Sequence, residues 1–122
     1  MFDDAAATIT LPDSGTAANL GTWFTFVVVD NSAGTKKIVM ADTSNERFAG
    51  LIKIIDTDSS NAISFKPASG AANVSITFNG TTTGTGGSAV KIVATAADEW
   101  TVIDSNVLVT GDPSSVSPFG TS

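Results

Sequence analysis

The sequence contains neither cysteine nor histidine. Without cysteine the chain has no disulfide, no thiol nucleophile and no thiolate zinc site. Without histidine it lacks the commonest metal ligand and the side chain that titrates nearest to neutral pH. Serine and threonine are abundant, but a hydroxyl nucleophile needs a base beside it. We therefore expect a protein that is not an enzyme and has no catalytic residues.

Positive charge is also scarce, since six Lys and Arg residues stand against twelve Asp and Glu, a formal net charge of -6. Duplex DNA, RNA and anionic membranes each require a basic surface. We expect no nucleic-acid partner and no membrane partner. The start of the chain has no basic region, and no apolar run is long enough for a signal peptide or a membrane span. Synthesis in the cytoplasm is the expectation.

Two segments match ligand-binding motifs only in part. Residues 84–89 fit the dinucleotide pattern G-x-G-x-x-A, but a strand rather than the required helix is predicted to follow. Residues 56–61 begin like a calcium loop, yet Asn61 replaces the glycine of the sharp turn and Pro67 replaces the bidentate glutamate. We therefore expect no cofactor and no metal site.

Short runs rich in Val, Ile, Thr, Phe and Trp recur about every ten residues, separated by Gly, Asn, Asp, Ser and Pro. This pattern predicts β-strands, whereas the alanine-rich pieces are too short to form helices alone. The predicted strands cover residues 8–11, 22–29, 37–41, 48–55, 62–66, 74–78, 89–94, 100–103 and 107–110.

The segments between these strands carry turn-forming residues. Asn79-Gly80 is a pair favoured in tight hairpins, and residues 104–106 leave room only for a short turn, so sequential strands should be antiparallel neighbours. Residues 80–88 form a long polar loop, suited to motion or to contacts. The prediction is an all-β fold: a compact antiparallel, jelly-roll-like β-sandwich or barrel of eight or nine short strands.

The strand at residues 22–29 is apolar on both faces. Phe24, Phe26 and Val28 point one way, while Trp23, Val27 and Val29 point the other. Either the second face is covered by a loop of the same chain, or it is an interface between subunits. Both tryptophans adjoin apolar strand positions and suit core packing, although Trp23 and Trp100 could instead stack on sugars.

A chain of 122 residues is expected to form a single β domain over residues 1–122. Its ends, residues 1–7 and 111–122, are interpreted as extended arms. Phe2, Val116 and Phe119 are isolated apolar anchors there, and with Trp23 they are the candidate partner-binding residues. Arms of this kind either reach neighbouring subunits or fray in solvent.

Several ordered segments resemble small structural proteins of tailed bacteriophages, including cyanophages and marine phages, that act as head decoration or cement proteins. The resemblance covers nearly the whole chain except residues 56–72. It lies in residues 9–12, 21–28, 48–50, 81–84, 87–92, 99–102 and 117–119.

This resemblance implies a homo-oligomer, a trimer or similar cluster, that sits on the outer surface of the virion capsid and binds the major capsid protein. It implies no catalytic residues. A different function also fits the residues, namely a receptor-binding or carbohydrate-binding module of a phage tail or bacterial surface. That module would use the loop at residues 80–88 and an exposed tryptophan.

Overall fold

A computed structural model describes residues 1–29, 31–58, 62–68 and 73–121. Within these ranges the chain forms nine strands and two single-turn 3₁₀ helices, Ala17–Asn19 and Pro113–Ser115. No helix in the described part is long and apolar enough to cross a membrane. The strands are β1 (Ala7–Thr10), β2 (Trp23–Val27), β3 (Lys36–Val39), β4 (Arg47–Asp56), β5 (Ile63–Pro67), β6 (Ser75–Phe78), β7 (Ala89–Ala96), β8 (Glu99–Val109) and β9 (Phe119–Gly120).

The strands form two sheets that pack together as a sandwich. One sheet has four strands in the order β1-β3-β6-β9, and the other has five in the order β2-β7-β8-β4-β5. The prediction of an all-β sandwich of eight or nine short strands is confirmed.

The prediction that sequential strands are antiparallel neighbours holds only in part. The β4–β5 and β7–β8 pairs are antiparallel and sequential, as expected. The β1–β3 and β4–β8 pairs are parallel, so both sheets are mixed. Asn79-Gly80 closes no hairpin, because β6 and β7 lie in different sheets. Instead the Asn79 side-chain oxygen accepts the backbone N–H groups of residues 81–83 and builds a compact loop at the crossing.

The two strands predicted at residues 100–103 and 107–110 are one continuous strand, β8, so the predicted turn at residues 104–106 is wrong. The pairing of β8 with β7 shifts from Lys91↔Asp104 to Ile92↔Val102, which leaves Ile103 as an extra residue. This shift is a β-bulge, which interrupts the regular strand pairing and bends the strand. The bulge therefore lies where the sequence predicted a turn.

The core lies between the sheets and is built by alternation along each strand. On β4, Phe48, Ile52 and Ile54 are buried, while Leu51 points to solvent. Trp100 is fully buried, as one of the two predicted alternatives required, and its ring lies 5.9 Å from that of Phe24. Other buried members include Phe26, Val28, Ile38, Met40, Ile76, Phe78, Val90, Ile92, Val102, Val107 and Val109.

Glu46 is a buried carboxylate that joins two loops. Its Oε1 accepts the Ser14 N–H at 2.6 Å and the Ser14 hydroxyl at 2.7 Å, and its Oε2 accepts the Asp42 N–H at 2.8 Å. Burial disfavours the charged form, but these hydrogen bonds outweigh burial and lower the pKa of Glu46. The Trp100 indole N–H also lowers the pKa of Glu46, although it makes no hydrogen bond of normal geometry.

Glu46→Gln is expected to lower the free energy of unfolding by about 1–3 kcal/mol near neutral pH, because it weakens hydrogen bonds to a buried charged acceptor. The lowered pKa makes this stabilisation complete above the unfolded pKa of about 4.3. It is lost as the pH falls through the folded-state value. Urea unfolding should show a difference between wild type and variant that narrows from about pH 7 to about pH 3. An equal difference at both pH values would contradict the assignment.

Candidate functional site on the outer sheet face

The candidate site is the outer face of the five-stranded sheet, the face turned away from the four-stranded sheet. Strand alternation creates it, because side chains next to the buried Ile52 and Ile54 on β4 must point outward. The register carries the same face onto β5, where Phe65 lies opposite Lys53. Two neighbouring strands therefore present one continuous surface.

This outer face is unusually apolar for a surface exposed to solvent. Single exposed hydrophobic residues are common, but a contiguous set marks an interaction surface. Leu51, Phe65 and Ile103 line one groove of this face, and Ile63 lies two residues before Phe65 on β5. Trp23 lies apart from them on β2, with β7 between β2 and β8, and each of the five residues is about half exposed.

The bulge in β8 shapes the middle of the outer face. It turns both Ile103 and Asp104 toward solvent, although neighbours on a regular strand would point to opposite faces. Beside the bulge lies an open groove of about 190 Å³. The groove is lined by Leu51, Lys53, Phe65, Val102, Ile103, Asp104 and Ser105.

Gly50 allows β4 to pass close to β8 at this point. Its φ of +85° lies in the left-handed region, and a Cβ there would stand 2.4 Å from the Val102 carbonyl oxygen. Only glycine fits without moving the backbone of one strand. The groove thus depends on a position that accepts no side chain.

The outer face is far less acidic than the rest of the molecule. The charged residues that alternate onto the outer side of its strands are Arg47, Lys53 and Lys91 against Glu99 and Asp104, whereas the whole chain has six basic and twelve acidic residues. Arg47 and Glu99 form an ion pair at 3.8 Å. A partner that docks on this face therefore meets little net negative charge.

Trp23 marks the β2 edge of the outer face. It is 59% exposed, so it is not a core residue, and in the described part of the chain no loop covers this face of β2. The Lys91 ammonium lies 4.6 Å from the centre of its ring, a cation–π contact. Of the four candidate partner-binding residues, Trp23 alone has a broadly exposed side chain.

The two tryptophans should give opposite fluorescence signals. Trp23→Phe leaves only the buried Trp100, whose emission should be blue-shifted and protected from iodide. Trp100→Phe leaves only the exposed Trp23, whose emission should be red-shifted and readily quenched. Steady-state emission with iodide titration measures both, and similar quenching in the two variants would contradict the assigned environments.

Phe2 lies in the core and offers no surface to a partner in this conformation. Its ring is 6.2 Å from Phe26 and 6.5 Å from Phe78. Its backbone pairs with β2, donating to the Val27 carbonyl and accepting from the Val29 N–H, both at 2.9 Å. The predicted N-terminal arm is therefore folded onto its own domain.

A buried lysine holds the same segment in place. Lys36 is fully buried, and its ammonium group donates to the Ala5 carbonyl at 3.2 Å and to the Ser32 carbonyl at 2.9 Å. A buried charge is stable only when it is well hydrogen-bonded. These bonds tie residues 1–7 to the turn before β3.

The C-terminal segment is also packed against the domain. Phe119 forms part of β9, pairs with Ile76, and places its ring 6.2 Å from Phe48. Pro113 is buried, and Val116 is half-buried against the core. Residues 111–121 are therefore part of the sandwich rather than an extended arm.

Two further segments were predicted as possible binding sites, the loop at residues 80–88 and the partial calcium loop at residues 56–61. The loop at residues 80–88 runs along β8, with Thr83 bridging Val109 and two of its N–H groups bonded to the Leu108 carbonyl. In the partial calcium loop, Asp56 Oδ1 accepts the Asp58 N–H. Residues 59–61 of that loop lie outside the described residues.

Four members of the outer face were missed by the sequence prediction: Leu51, Ile63, Phe65 and Ile103. A signal for them existed in β4, where apolar residues stand on both faces of the strand, as they do in β2. Such two-sided apolar strands indicate burial on both faces or an interface. The strand register, which places these residues on the same side of the sheet, cannot be predicted from neighbouring residues in the sequence.

Comparisons with protein-family models, with curated proteins and with solved structures found no match.

Proposed function

We propose that this chain is a structural virion protein that decorates and stabilises the outer surface of a tailed-phage capsid. Its partners are the major capsid protein and further copies of itself, in the trimeric arrangement that the sequence resemblance implies. The observation that carries this proposal is the exposed apolar face of the five-stranded sheet. It supports a role in assembly, because such a surface is stabilised when a partner removes it from water.

The charge distribution favours a position outside the capsid. Packaged DNA carries dense negative charge and would repel a chain with a net charge of -6 at close range. The outer sheet face has nearly balanced charge, so contacts there depend on apolar area more than on ion pairs. Moderate salt should therefore weaken capsid binding little.

Co-sedimentation with cognate expanded empty capsids tests the proposal. The double variant Leu51→Thr/Ile103→Thr removes two exposed apolar side chains and keeps residues that suit a strand. Leu20→Thr is a matched control, because Leu20 is 44% exposed and Leu51 46%, but Leu20 lies outside the sheets. The double variant should reduce capsid occupancy at least several-fold, and the control should leave it unchanged.

Two outcomes would oppose capsid decoration. The first is a wild-type protein that never sediments with the cognate capsid. The second is binding that the double variant leaves intact.

The second candidate function is receptor or carbohydrate binding, and the exposed Trp23 favours it. An exposed aromatic ring offers a flat apolar face on which a sugar stacks. Lys91 lies over one face of the Trp23 ring, so a sugar would stack on the other face. A glycan array with wild type and Trp23→Ala separates the two functions. Glycan binding that Trp23→Ala abolishes, together with no capsid binding, would favour the receptor-binding module.

A further inference from the structure

The free side of β5 carries a defined set of unpaired backbone groups. β5 is an edge strand that pairs only with β4. The Asp56 N–H donates to the Ala62 carbonyl, and the Ala68 N–H donates to the Gly50 carbonyl. Because backbone groups alternate in direction along an antiparallel strand, the groups of Ser64 also face β4. The N–H and C=O groups of Ile63 and Phe65 therefore point away from the sheet.

The side chains next to these groups are exposed as well. Ile63 is 56% exposed and Phe65 is 59% exposed. On the opposite edge the backbone of Phe2 covers only the Val27 end of β2. The side chains beside the remaining free groups there are one apolar and one polar residue, Trp23 and Thr25. An uncovered edge with apolar side chains is a template for pairing with another strand. Among the described residues of this sheet, β5 is the edge best suited to such pairing.

We propose that β5 pairs antiparallel with β5 of a second copy of this chain, which joins two five-stranded sheets into one. In this pairing Ile63 lies opposite Phe65 of the second copy. The two-fold axis passes between the Ser64 residues of the two copies. Both residues then exchange their N–H and C=O groups across the axis, in four hydrogen bonds. Pro67 has no N–H to offer, which limits pairing to this short segment.

Charge along the β4–β5 hairpin fits the antiparallel direction. Lys53 and Lys66 lie beside the C-terminal half of β5, whereas the exposed Asp58 follows the end of β4, in the segment that leads to the N-terminal end of β5. Antiparallel pairing sets the basic half of one copy against the acidic end of the other. Parallel pairing would instead place like charges together, at a cost in free energy.

The contact is two-fold, so it closes as a dimer and cannot by itself build the trimer expected from the resemblance. It is also small. Interfaces that bury less than about 1,200 Å² belong to weak, transient complexes, so the dimer should populate only at high protein concentration. The inference goes beyond capsid decoration and does not depend on it, because the isolated protein should dimerise without any capsid.

Cross-linking at the axis tests the register. Ser64 lies opposite its own copy in a non-hydrogen-bonded pair, where Cα atoms are about 4.5 Å apart. That spacing falls within the range of a disulfide. The chain has no cysteine of its own, so Ser64→Cys provides a single thiol. Under mild oxidation it should form a covalent dimer at least ten-fold faster than Thr25→Cys, the control on the opposite edge.

Sedimentation equilibrium up to about 0.5 mM provides a test without cross-linking, in the range where weak dimers populate. Phe65→Thr should abolish the dimer, while Trp23→Thr, which removes an equally exposed aromatic at 59%, should leave it. A wild type that stays monomeric, or an oligomer that Phe65→Thr does not change, would overturn the proposal. Equal cross-linking of the two cysteine variants would do the same.

Discussion

Replacing Trp100 with alanine is expected to lower the free energy of unfolding by about 3–5 kcal/mol. Trp100 is fully buried on β8, lies against Phe24 and is the largest buried side chain. The substitution removes its apolar surface from the core and leaves a cavity that a sandwich of two sheets cannot close. Urea unfolding of the variant and of wild type, followed by circular dichroism, measures the loss.

Trp100→Phe is the control, since it retains an aromatic ring and should cost markedly less than the alanine variant. Trp23→Ala is a second control, because an exposed edge residue should change stability by less than about 1 kcal/mol. Equal losses for Trp23→Ala and Trp100→Ala would contradict the assignment of the two residues to opposite faces.

Replacing Phe2 with alanine is expected to lower the free energy of unfolding by a similar amount, about 3–5 kcal/mol. The reason is that Phe2 packs between Phe26 and Phe78 inside the isolated chain. A partner-binding anchor would behave differently, because its removal would leave the isolated protein as stable as before. Denaturant unfolding of the purified variant therefore decides between the two roles.

Phe65→Ala is the matched control for this experiment. Both variants remove a phenyl ring, but Phe2 is 0% exposed and Phe65 is 59% exposed. At low protein concentration Phe65→Ala should cost less than about 1 kcal/mol. A loss for Phe2→Ala as small as that for Phe65→Ala would show that residues 1–7 form a free arm in solution.

Strand positions were predictable because alternation and turn chemistry act over a few residues. The signal at residues 74–78 matches β6, and that at residues 89–94 matches β7, within two residues at each end. β9 was not predicted, since two residues carry no periodicity. Strand order has no local signal either, and the parallel β4–β8 pair joins segments that are about fifty residues apart in the sequence.

The error at residues 104–106 has a physical cause. Asp, Ser and Asn favour turns because their side chains compete for backbone hydrogen bonds. In β8 the same residues instead accompany a bulge between two partner strands. A bulge and a short turn share this composition, and only the tertiary pairing distinguishes them.

The candidate site was predicted least well at the termini. Phe2 and Phe119 lie outside the predicted strands, a position that fits both a partner-binding arm and a segment folded back onto its own core. For Phe2 the second holds, since it is buried against Phe26 and Phe78, and Lys36 holds the same segment through the Ala5 carbonyl. Trp23 was identified because its strand is apolar on both faces, and the same reasoning applied to β4 would have identified Leu51.

A density map of cognate capsids saturated with the purified protein tests the central claim most directly. The account predicts a β-sandwich on the outside of the capsid shell, with the outer face of its five-stranded sheet buried against the major capsid protein or a neighbouring copy. A map with no added density on the shell, or with this face turned to solvent, would contradict it.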